Sequence, residues 1–211
     1  DKKAEQQGTI INGNNDATDE EKAEARKLVE KAKTEVKSNI TNSDTEREVN
    51  GAKTNGLEKI NNIQPSTQTK TNAKQEINDK AQEQLIQINN TPDATEEEKQ
   101  DATNRVNAGL AQAIQNINNA HSTQEVNESK TNSIATIKSV QPNVIKKPTA
   151  INSLTQEANN QKTLIGNDGN ATDDEKEAAK QLVTQKLNEE IQKIHESTQD
   201  NQVDNVKAQA I

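Results

Sequence analysis

The sequence predicts an all-α protein made of tandem three-helix bundles joined end to end into an elongated rod. Three observations predict this fold. One acidic motif recurs at a constant spacing along the chain. Between its copies, apolar residues follow the three- and four-residue spacing of an amphipathic helix, not the two-residue spacing of a strand. Capping residues and prolines mark the same helix ends in successive copies.

The repeated motif is Ala-Thr, then two acidic residues, then Glu-Lys, and it begins at Ala17, Ala94 and Ala171. Both spacings are 77 residues, so no insertion separates the copies. A fixed period of this kind is typical of a tandem array. We therefore divide the chain into the end of a preceding repeat (1–15), two complete three-helix repeats (16–92 and 93–169) and the first part of a further repeat (170–211). Other columns with the same shift are Val29/Val106/Val183, Ile40/Ile117/Ile194 and Leu57/Ile134/Ile211.

The first helix of each repeat begins at the motif. Thr18 is a suitable N-cap and Glu21 follows it three residues later, which is the spacing of a capping box. The acidic residues of the first turn also favour the positive end of the helix dipole. The same box recurs as Thr95/Glu98 and Thr172/Glu175. The apolar stripe is Ala25, Val29, Ala32, Val36 and Ile40, followed in the next copy by Ala102, Val106, Gly109, Ala113 and Ile117.

The second helix has its own capping box, Thr45/Glu48, repeated as Ser122/Glu125. Pro65 and Pro142 predict its end, because proline disfavours helical geometry in the residue before it. The stripe is Val49, Ala52, Gly56, Ile60 and Ile63, then Val126, Ser129, Ser133, Ile137 and Val140. Since Gly56 and Ser133 are small, we expect a close backbone approach to a neighbouring helix there.

The third helix begins near residues 69–71. Pro148, which corresponds to Thr71 in the preceding copy, fixes this start because proline is tolerated in the first helical turn. The stripe is Ala73, Ile77, Ala81, Leu85 and Ile88, then Ala150, Leu154, Ala158, Lys162 and Ile165.

The low hydropathy of the chain, −1.15 on average, favours a disordered polypeptide. The caps, prolines and stripes nevertheless agree on the same helix boundaries, and such agreement is typical of a sequence that folds. Residues 17–93 contain only twelve aliphatic side chains larger than alanine. We therefore expect folded helices with a thin core, a marginal single repeat, and added stability from neighbouring repeats.

Composition argues against several functional classes. The chain has no cysteine, so thiolate zinc sites and a cysteine nucleophile are excluded. The net charge of −8 and the lack of aromatic residues argue against nucleic acid, and no apolar run is long enough for membrane insertion. The sequence has no nucleophile–base pair and no glycine-rich phosphate loop. We predict that the protein is not an enzyme and has no catalytic residues, no cofactor and no metal.

Two histidines and the acidic clusters are the remaining candidates for a site. His121 and His195 do not share a repeat column and have no partner at ligand spacing, so we interpret them as surface residues. The acidic clusters at Asp19 and Asp173 could attract calcium, but a role at the helix start explains them sufficiently. A calcium loop starting at Asp168 fails, because Asp173 occupies the position that needs glycine.

Three motifs together resemble a known bacterial surface repeat. They are the Ala-Thr-x-x-Glu-Lys opening, the Val-Asn step at Val49 and Val126, and the Ile-x-x-Ile/Val-x-Pro ending that closes at Pro65 and Pro142. The resemblance is to the tandem helical repeat, a domain of unknown function, of staphylococcal cell-wall-anchored surface proteins of the SasC, FmtB and Ebh type. It implies an extracellular, wall-anchored protein involved in adhesion, aggregation or biofilm formation, and thus in virulence. It brings no catalytic residues.

An odd number of helices makes the chain enter a bundle at one pole and leave at the other, so successive bundles extend the molecule. We therefore predict a structural spacer whose partners are the neighbouring repeats. The alternative is a multivalent binding module for host matrix proteins or for homophilic contact. Tryptophan and tyrosine, which dominate binding hot spots, are absent, and arginine occurs only three times.

Overall fold

The computed structural model describes residues 1–210, so Ile211, the last member of the Leu57 column, lies outside the described residues. The described residues form nine helices and no strand, which confirms the all-α prediction. The helices are α1 Lys2–Asn12, α2 Asp19–Thr41, α3 Glu46–Asn61, α4 Gln68–Asn89, α5 Glu96–Asn119, α6 Thr123–Lys138, α7 Lys146–Gly166, α8 Asp173–Glu196 and α9 Asp200–Ala210.

The chain is organised as two compact units. The first contains Asp1–Ala81 and Ala108–Lys138, and the second contains Gln82–Asn107 and the chain from Ser139 onward. Helices α4 and α5 each contribute residues to both units.

In the first unit, α1, α2 and α3 pack against one another as a three-helix bundle. Three of its six buried core residues are alanine, as expected for a thin core. The core consists of Ala4, Ile11, Ala25, Val29, Ala32 and Ile60, with half-buried Ile63 packed against it.

In the second unit, α7, α8 and α9 form a bundle of the same kind. Its buried core is Ala150, Leu154, Ile194 and Val203, and the partly buried Ile151, Leu187, Val206 and Ala210 pack around it.

The predicted helix starts are confirmed. Thr18, Thr45 and Thr172 each cap a helix in a complete capping box with the glutamate three residues later. Thr95 makes the same reciprocal bonds with Glu98, as does Ser122 with Glu125. Helices α4 and α7 begin at Gln68 and Lys146, next to the predicted start, and Pro148 lies in the first turn of α7.

The predicted helix ends and stripes are also confirmed. Helices α3 and α6 end at Asn61 and Lys138, four residues before the prolines of each copy. Every residue of the predicted stripes is buried or half-buried. Several large aliphatic residues outside the stripes, such as Leu28 and Ile86, are exposed.

The predicted cuts at 16, 93 and 170 fall in the loops that precede α2, α5 and α8, and they remain predictions of how the repeat is divided. In the structure, α1 packs on α2 and α3, and α7 packs on α8 and α9. Each of these bundles therefore combines the helix before a cut with the two helices after it.

Candidate functional site at the junctions between bundles

The pole of the first bundle at which α2 begins lies against the start of α4, the end of α5 and the start of α6, all within the first unit. We call these contacts the first junction (14–21, 69–70 and 118–123). The second unit contains the residues shifted by 77 positions, and we call them the second junction (91–98, 146–147 and 195–200). Each hydrogen bond of the first junction can therefore be compared with the bond at the equivalent position of the second.

A single glutamate in each junction caps two helices. In the first, one carboxylate oxygen of Glu21 accepts the Thr18 N–H at 2.9 Å and completes the capping box of α2. The other oxygen accepts the N–H and the hydroxyl of Thr69, at 3.0 and 2.9 Å, in the first turn of α4. The capping box of one helix thereby holds the start of another.

Glu98 repeats this arrangement in the second junction. One of its oxygens accepts the Thr95 N–H at 2.9 Å, and the other accepts the N–H groups of Ile145 and Lys146 at 2.8 Å each. Ile145 is the N-cap residue of α7 and makes no side-chain cap of its own. Since the first N–H groups of a helix lack partners inside it, Glu98 supplies the acceptor that α7 needs.

The preceding glutamate binds a third helix start. Glu20 accepts both the N–H and the hydroxyl of Thr123, the first residue of α6, at 2.9 Å each. Its counterpart Glu97 accepts the N–H of Asp200, the first residue of α9, at 3.1 Å.

Backbone and lysine contacts complete each junction. The Asp19 N–H donates to the His121 carbonyl at 2.8 Å, and the Glu96 N–H donates to the Thr198 carbonyl at 2.8 Å. Lys70 donates from Nζ to the Asn118 carbonyl at 2.9 Å in the same way that Lys147 donates to the His195 carbonyl at 2.7 Å.

Both lysines are almost fully buried, with 3% of Lys70 and 5% of Lys147 exposed. A buried ammonium is tolerated only when its donors are satisfied, so these bonds hold the ends of α5 and α8 in place. Chemically, each junction is a set of helix caps in which the carboxylates of one helix bind the starts of two others, and the ammonium group of a further helix binds a helix end.

The pKa values reflect these bonds. The pKa of Glu20 lies at about 2 instead of 4.5, chiefly because the Thr123 backbone N–H stabilises the carboxylate. Partial burial alone would raise the pKa of Glu21, but hydrogen bonds from Thr18 and Thr69 outweigh it and lower the pKa. The pKa of Glu98 is likewise lowered, because bonds from Ile145, Thr95 and Lys146 outweigh its burial.

The two junctions differ at the position of Thr123. Asp200 replaces this threonine, so Glu97 lacks the hydroxyl donor that Glu20 has and is bound only by the backbone N–H of Asp200. Oδ1 of Asp200 is buried and, among the residues described, has no hydrogen-bond partner. The second junction is therefore the less completely satisfied of the two.

They also differ in the loop before the motif. In the first junction, the Asn14 side chain accepts the N–H groups of Asp16 and Ala17, at 2.9 and 3.2 Å. Thr91 replaces this asparagine in the second junction, and there Asp93 adopts a left-handed backbone with φ 59°. The Asp93 carboxylate lies 2.7 Å from Nδ1 of His195.

The histidines and acidic residues that the sequence offered as candidate sites lie in or near the junctions or on the surface of α8. His195 and the backbone of His121 both lie in junctions, and both side chains are solvent-exposed, but they belong to different junctions. Asp19 contributes its N–H to the first junction, whereas the Asp173 carboxylate is an exposed part of the first turn of α8. In the described part of the chain, no cluster of histidine, cysteine or acidic residues is placed to hold a metal ion.

Sequence reasoning attributed the acidic first turn to its own helix dipole and missed the bonds to other helices. A signal was present, because Glu20, Glu21 and Lys70 recur with the 77-residue shift as Glu97, Glu98 and Lys147.

No helix within residues 1–210 is both long enough and apolar enough to cross a lipid bilayer.

Comparison with known proteins gives one result. A family model described as a Domain of Unknown Function (DUF1542) matches the chain three times in succession, over residues 1–68, 69–145 and 146–211. The matches begin at or beside the first residues of α1, α4 and α7, and of these helices α1 and α7 open the two packed bundles. No curated protein and no solved structure shows significant similarity to the chain.

Proposed function

Since the chain belongs to the DUF1542 family and carries three tandem copies of its domain, we propose that these repeats are a non-catalytic spacer of a bacterial cell-surface adhesin. Tandem copies fit a repeat region of surface proteins. In this proposal the repeats extend a distal functional region from the cell wall, in an extracellular position, and so support adhesion, aggregation or biofilm formation.

The observation that carries the proposal is the recurrence of the same hydrogen bonds in both junctions. Glu21 and Glu98 each cap a helix that begins 47 or 48 residues later, in the next copy of the family match. A spacer needs a defined connection from each repeat to the next, and this carboxylate provides one. A module selected only for binding would not need it.

The length that each repeat adds follows from its helices. At a rise of about 1.5 Å per residue, the 23 residues of α2 span roughly 35 Å. A spacer to which each of the three family copies adds a similar length would then reach about 100 Å. A compact protein of the same chain length would have a radius of gyration of about 17 Å.

Small-angle X-ray scattering of the whole chain tests the proposal. We expect a rod-like profile, a maximum dimension near 100 Å and a radius of gyration well above 17 Å. Replacing Glu21 and Glu98 together by alanine should shorten the maximum dimension while most of the helical circular dichroism signal remains. A compact profile for the native chain would disprove the spacer role. Saturable binding of the same chain to a host matrix protein, or to itself, would instead favour the binding-module alternative.

A further inference from the structure

The loop 167–172 between α7 and α8 contains the only Asp-Gly dipeptide of the chain, Asp168-Gly169. Both residues are exposed, and the spacer role does not use them. In such a dipeptide the backbone nitrogen of the glycine can attack the side-chain carboxyl of the aspartate and close a five-membered ring. Glycine favours this attack because it has no side chain to hinder the approach.

The loop holds the two reacting groups close together. Oδ1 of Asp168 accepts the N–H of Asn170 at 2.9 Å, and this bond folds the side chain over the peptide that joins Asp168 to Gly169. Within residues 1–210, the N–H of Gly169 has no hydrogen-bond partner. A Cβ atom at Gly169 would meet nothing within 4 Å, so the loop also has room for the ring.

The three Asn-Gly dipeptides of the chain show the opposite situation. Asparagine is thermolabile, and before glycine it forms the same ring with loss of ammonia. The Gly13 N–H, however, donates to a carbonyl of α1 at 3.0 Å, and Oδ1 of Asn12 accepts a bond from the Arg26 guanidinium. The dipeptides 50–51 and 55–56 lie inside α3, where each N–H is bound to the carbonyl four residues earlier. Their nitrogens are therefore not free to react.

The equivalent loops of the other copies also lack this combination. In the first loop the position of Gly169 is occupied by Asn15, whose side chain hinders the attack. In the second loop it is occupied by Pro92, which has no N–H and cannot close the ring. Glycine at this position is found only in the third loop.

We propose that Asp168 is a site of spontaneous isomerisation to isoaspartate. The Gly169 nitrogen attacks Cγ of the protonated carboxyl, a C–N bond forms, and the carboxyl hydroxyl leaves with the amide proton as water. Water then opens the succinimide ring. Cleavage between the nitrogen and the main-chain carbonyl of Asp168 gives isoaspartate, whereas cleavage between the nitrogen and Cγ restores aspartate. The steps need no enzyme or oxidant, and the inference does not depend on the spacer role.

The product changes the loop that leads into α8. Isoaspartate adds one carbon atom to the main chain and leaves the former main-chain carbonyl as a free carboxylate. The bond from the Asn170 N–H to the side chain is then lost. Thr172, the N-cap of α8, follows two residues after Asn170, so the first turn of α8 should fray in the isomerised chain.

Prolonged incubation of the full 211-residue chain at neutral pH, folded and in guanidinium chloride, tests this proposal. Peptides are separated by liquid chromatography, and electron-transfer fragmentation distinguishes isoaspartate from aspartate. The unfolded chain gives each site its own reference rate, so the different intrinsic reactivities of asparagine and aspartate cancel.

In the folded chain, Asp168 should react within about threefold of its unfolded rate. The asparagines at 12, 50 and 55 should react at least about tenfold more slowly than when unfolded, because each needs local opening of a helix. Equal slowing of Asp168 and the three asparagines, or no isoaspartate at position 168 of the folded chain, would overturn the proposal.

Two variants sharpen the test. Asp168→Asn places an Asn-Gly dipeptide in the loop and keeps the oxygen that accepts the Asn170 N–H. It should deamidate at least about tenfold faster than any of the three helical Asn-Gly dipeptides in the same folded chain. Gly169→Ala adds a Cβ that meets nothing within 4 Å, so the fold is kept, but it should slow the isomerisation about tenfold. Deamidation of Asp168→Asn no faster than at the helical sites, or an unchanged rate in Gly169→Ala, would each contradict the assigned site.

Discussion

Gly56 of α3 lies so close to Val36 of α2 that a Cβ atom at position 56 would overlap the valine side chain. One period later the same two positions hold Ser133 and Ala113. The helix that carries the glycine has gained a side chain and the helix that carries the valine has lost two methyl groups, so the summed volume of the two residues is roughly conserved. This relationship confirms the close approach that the small residues predicted.

Replacing Gly56 by serine should destabilise the first bundle by about 1–3 kcal/mol, because the added side chain forces Val36 and its helix to shift. Adding Val36→Ala, which recreates the pairing of the next repeat, should recover most of this loss. Urea unfolding followed by circular dichroism measures both effects. If the double variant is no more stable than Gly56→Ser, the two positions do not share one space.

Gly51 is the matched control on the same helix. A Cβ at this position would meet nothing within 4 Å. Gly51→Ala should therefore stabilise the bundle by up to about 1 kcal/mol, since alanine favours a helix over glycine. A loss of stability here would show that glycine replacements in α3 are harmful for another reason.

Asp200→Thr should stabilise the second unit by about 1–2 kcal/mol. The threonine hydroxyl can donate to Glu97 as Thr123 donates to Glu20, and the change removes a buried carboxylate oxygen that has no partner among the described residues. Differential scanning calorimetry of the whole chain would record the gain.

The reverse exchange, Thr123→Asp, should destabilise the first unit by a similar amount, because it places a second carboxylate beside Glu20. A stabilising effect of Thr123→Asp, or no effect of Asp200→Thr, would refute this reading of the two junctions.

Acid should weaken the first junction through Glu20. Its pKa in the folded chain, about 2, lies below the ordinary 4.5, so the folded state binds its proton less readily than the unfolded chain does. The resulting stabilisation is complete above about pH 4.5 and is lost as the pH falls toward 2. We expect the free energy of unfolding to decline across this range.

Glu20→Gln separates this effect from general acid unfolding. It should lower stability at pH 7, and the difference from the native chain should shrink as the pH approaches 2. Glu24→Gln is the control, because the Glu24 carboxylate pairs with Lys27 on its own helix and touches no junction. A constant difference between Glu20→Gln and the native chain at every pH would contradict the assignment.

Glu190 of α8 occupies the repeat column of Val36 and Ala113, and only 3% of it is exposed. Lys186 and Lys193 hold its carboxylate at 2.7 and 2.9 Å and lower its pKa. Glu190→Val should lower the free energy of unfolding of the second unit, because Lys186 and Lys193 stabilise the carboxylate more than its burial destabilises it, and valine cannot bind them. Hydrogen exchange of α8 amides measures it. The neighbouring exposed Glu189→Val should bring no such loss, and faster exchange in both variants would point to a general effect of valine.

The helices could be predicted from the sequence because their signals are local. Thr18 and Glu21 are three residues apart, and the stripes depend only on the helical period. The bonds of Glu20 and Glu21 to other helices join residues 103 and 48 positions apart. No local pattern specifies such partners, because they depend on how the bundles pack.

The left-handed Asp93 was also beyond local prediction. The second loop differs from the first at three positions, with Asn90 for Gly13, Thr91 for Asn14 and Pro92 for Asn15. The threonine side chain has no carbonyl oxygen to accept the two backbone N–H groups that Asn14 Oδ1 binds, so the backbone adopts a different conformation. The resulting contact with His195 then depends on where α8 ends.

The capping of α7 by Glu98 has a consequence for how the chain assembles. Because Ile145 provides no cap, α7 starts well only once the beginning of α5, 47 residues earlier, is already ordered. Folding should therefore spread from each repeat to its successor, and a repeat cut from its predecessor should fray at its first turn. Nearest-neighbour cooperativity of this kind would let a long array of thin-cored repeats persist where any one of them alone would not.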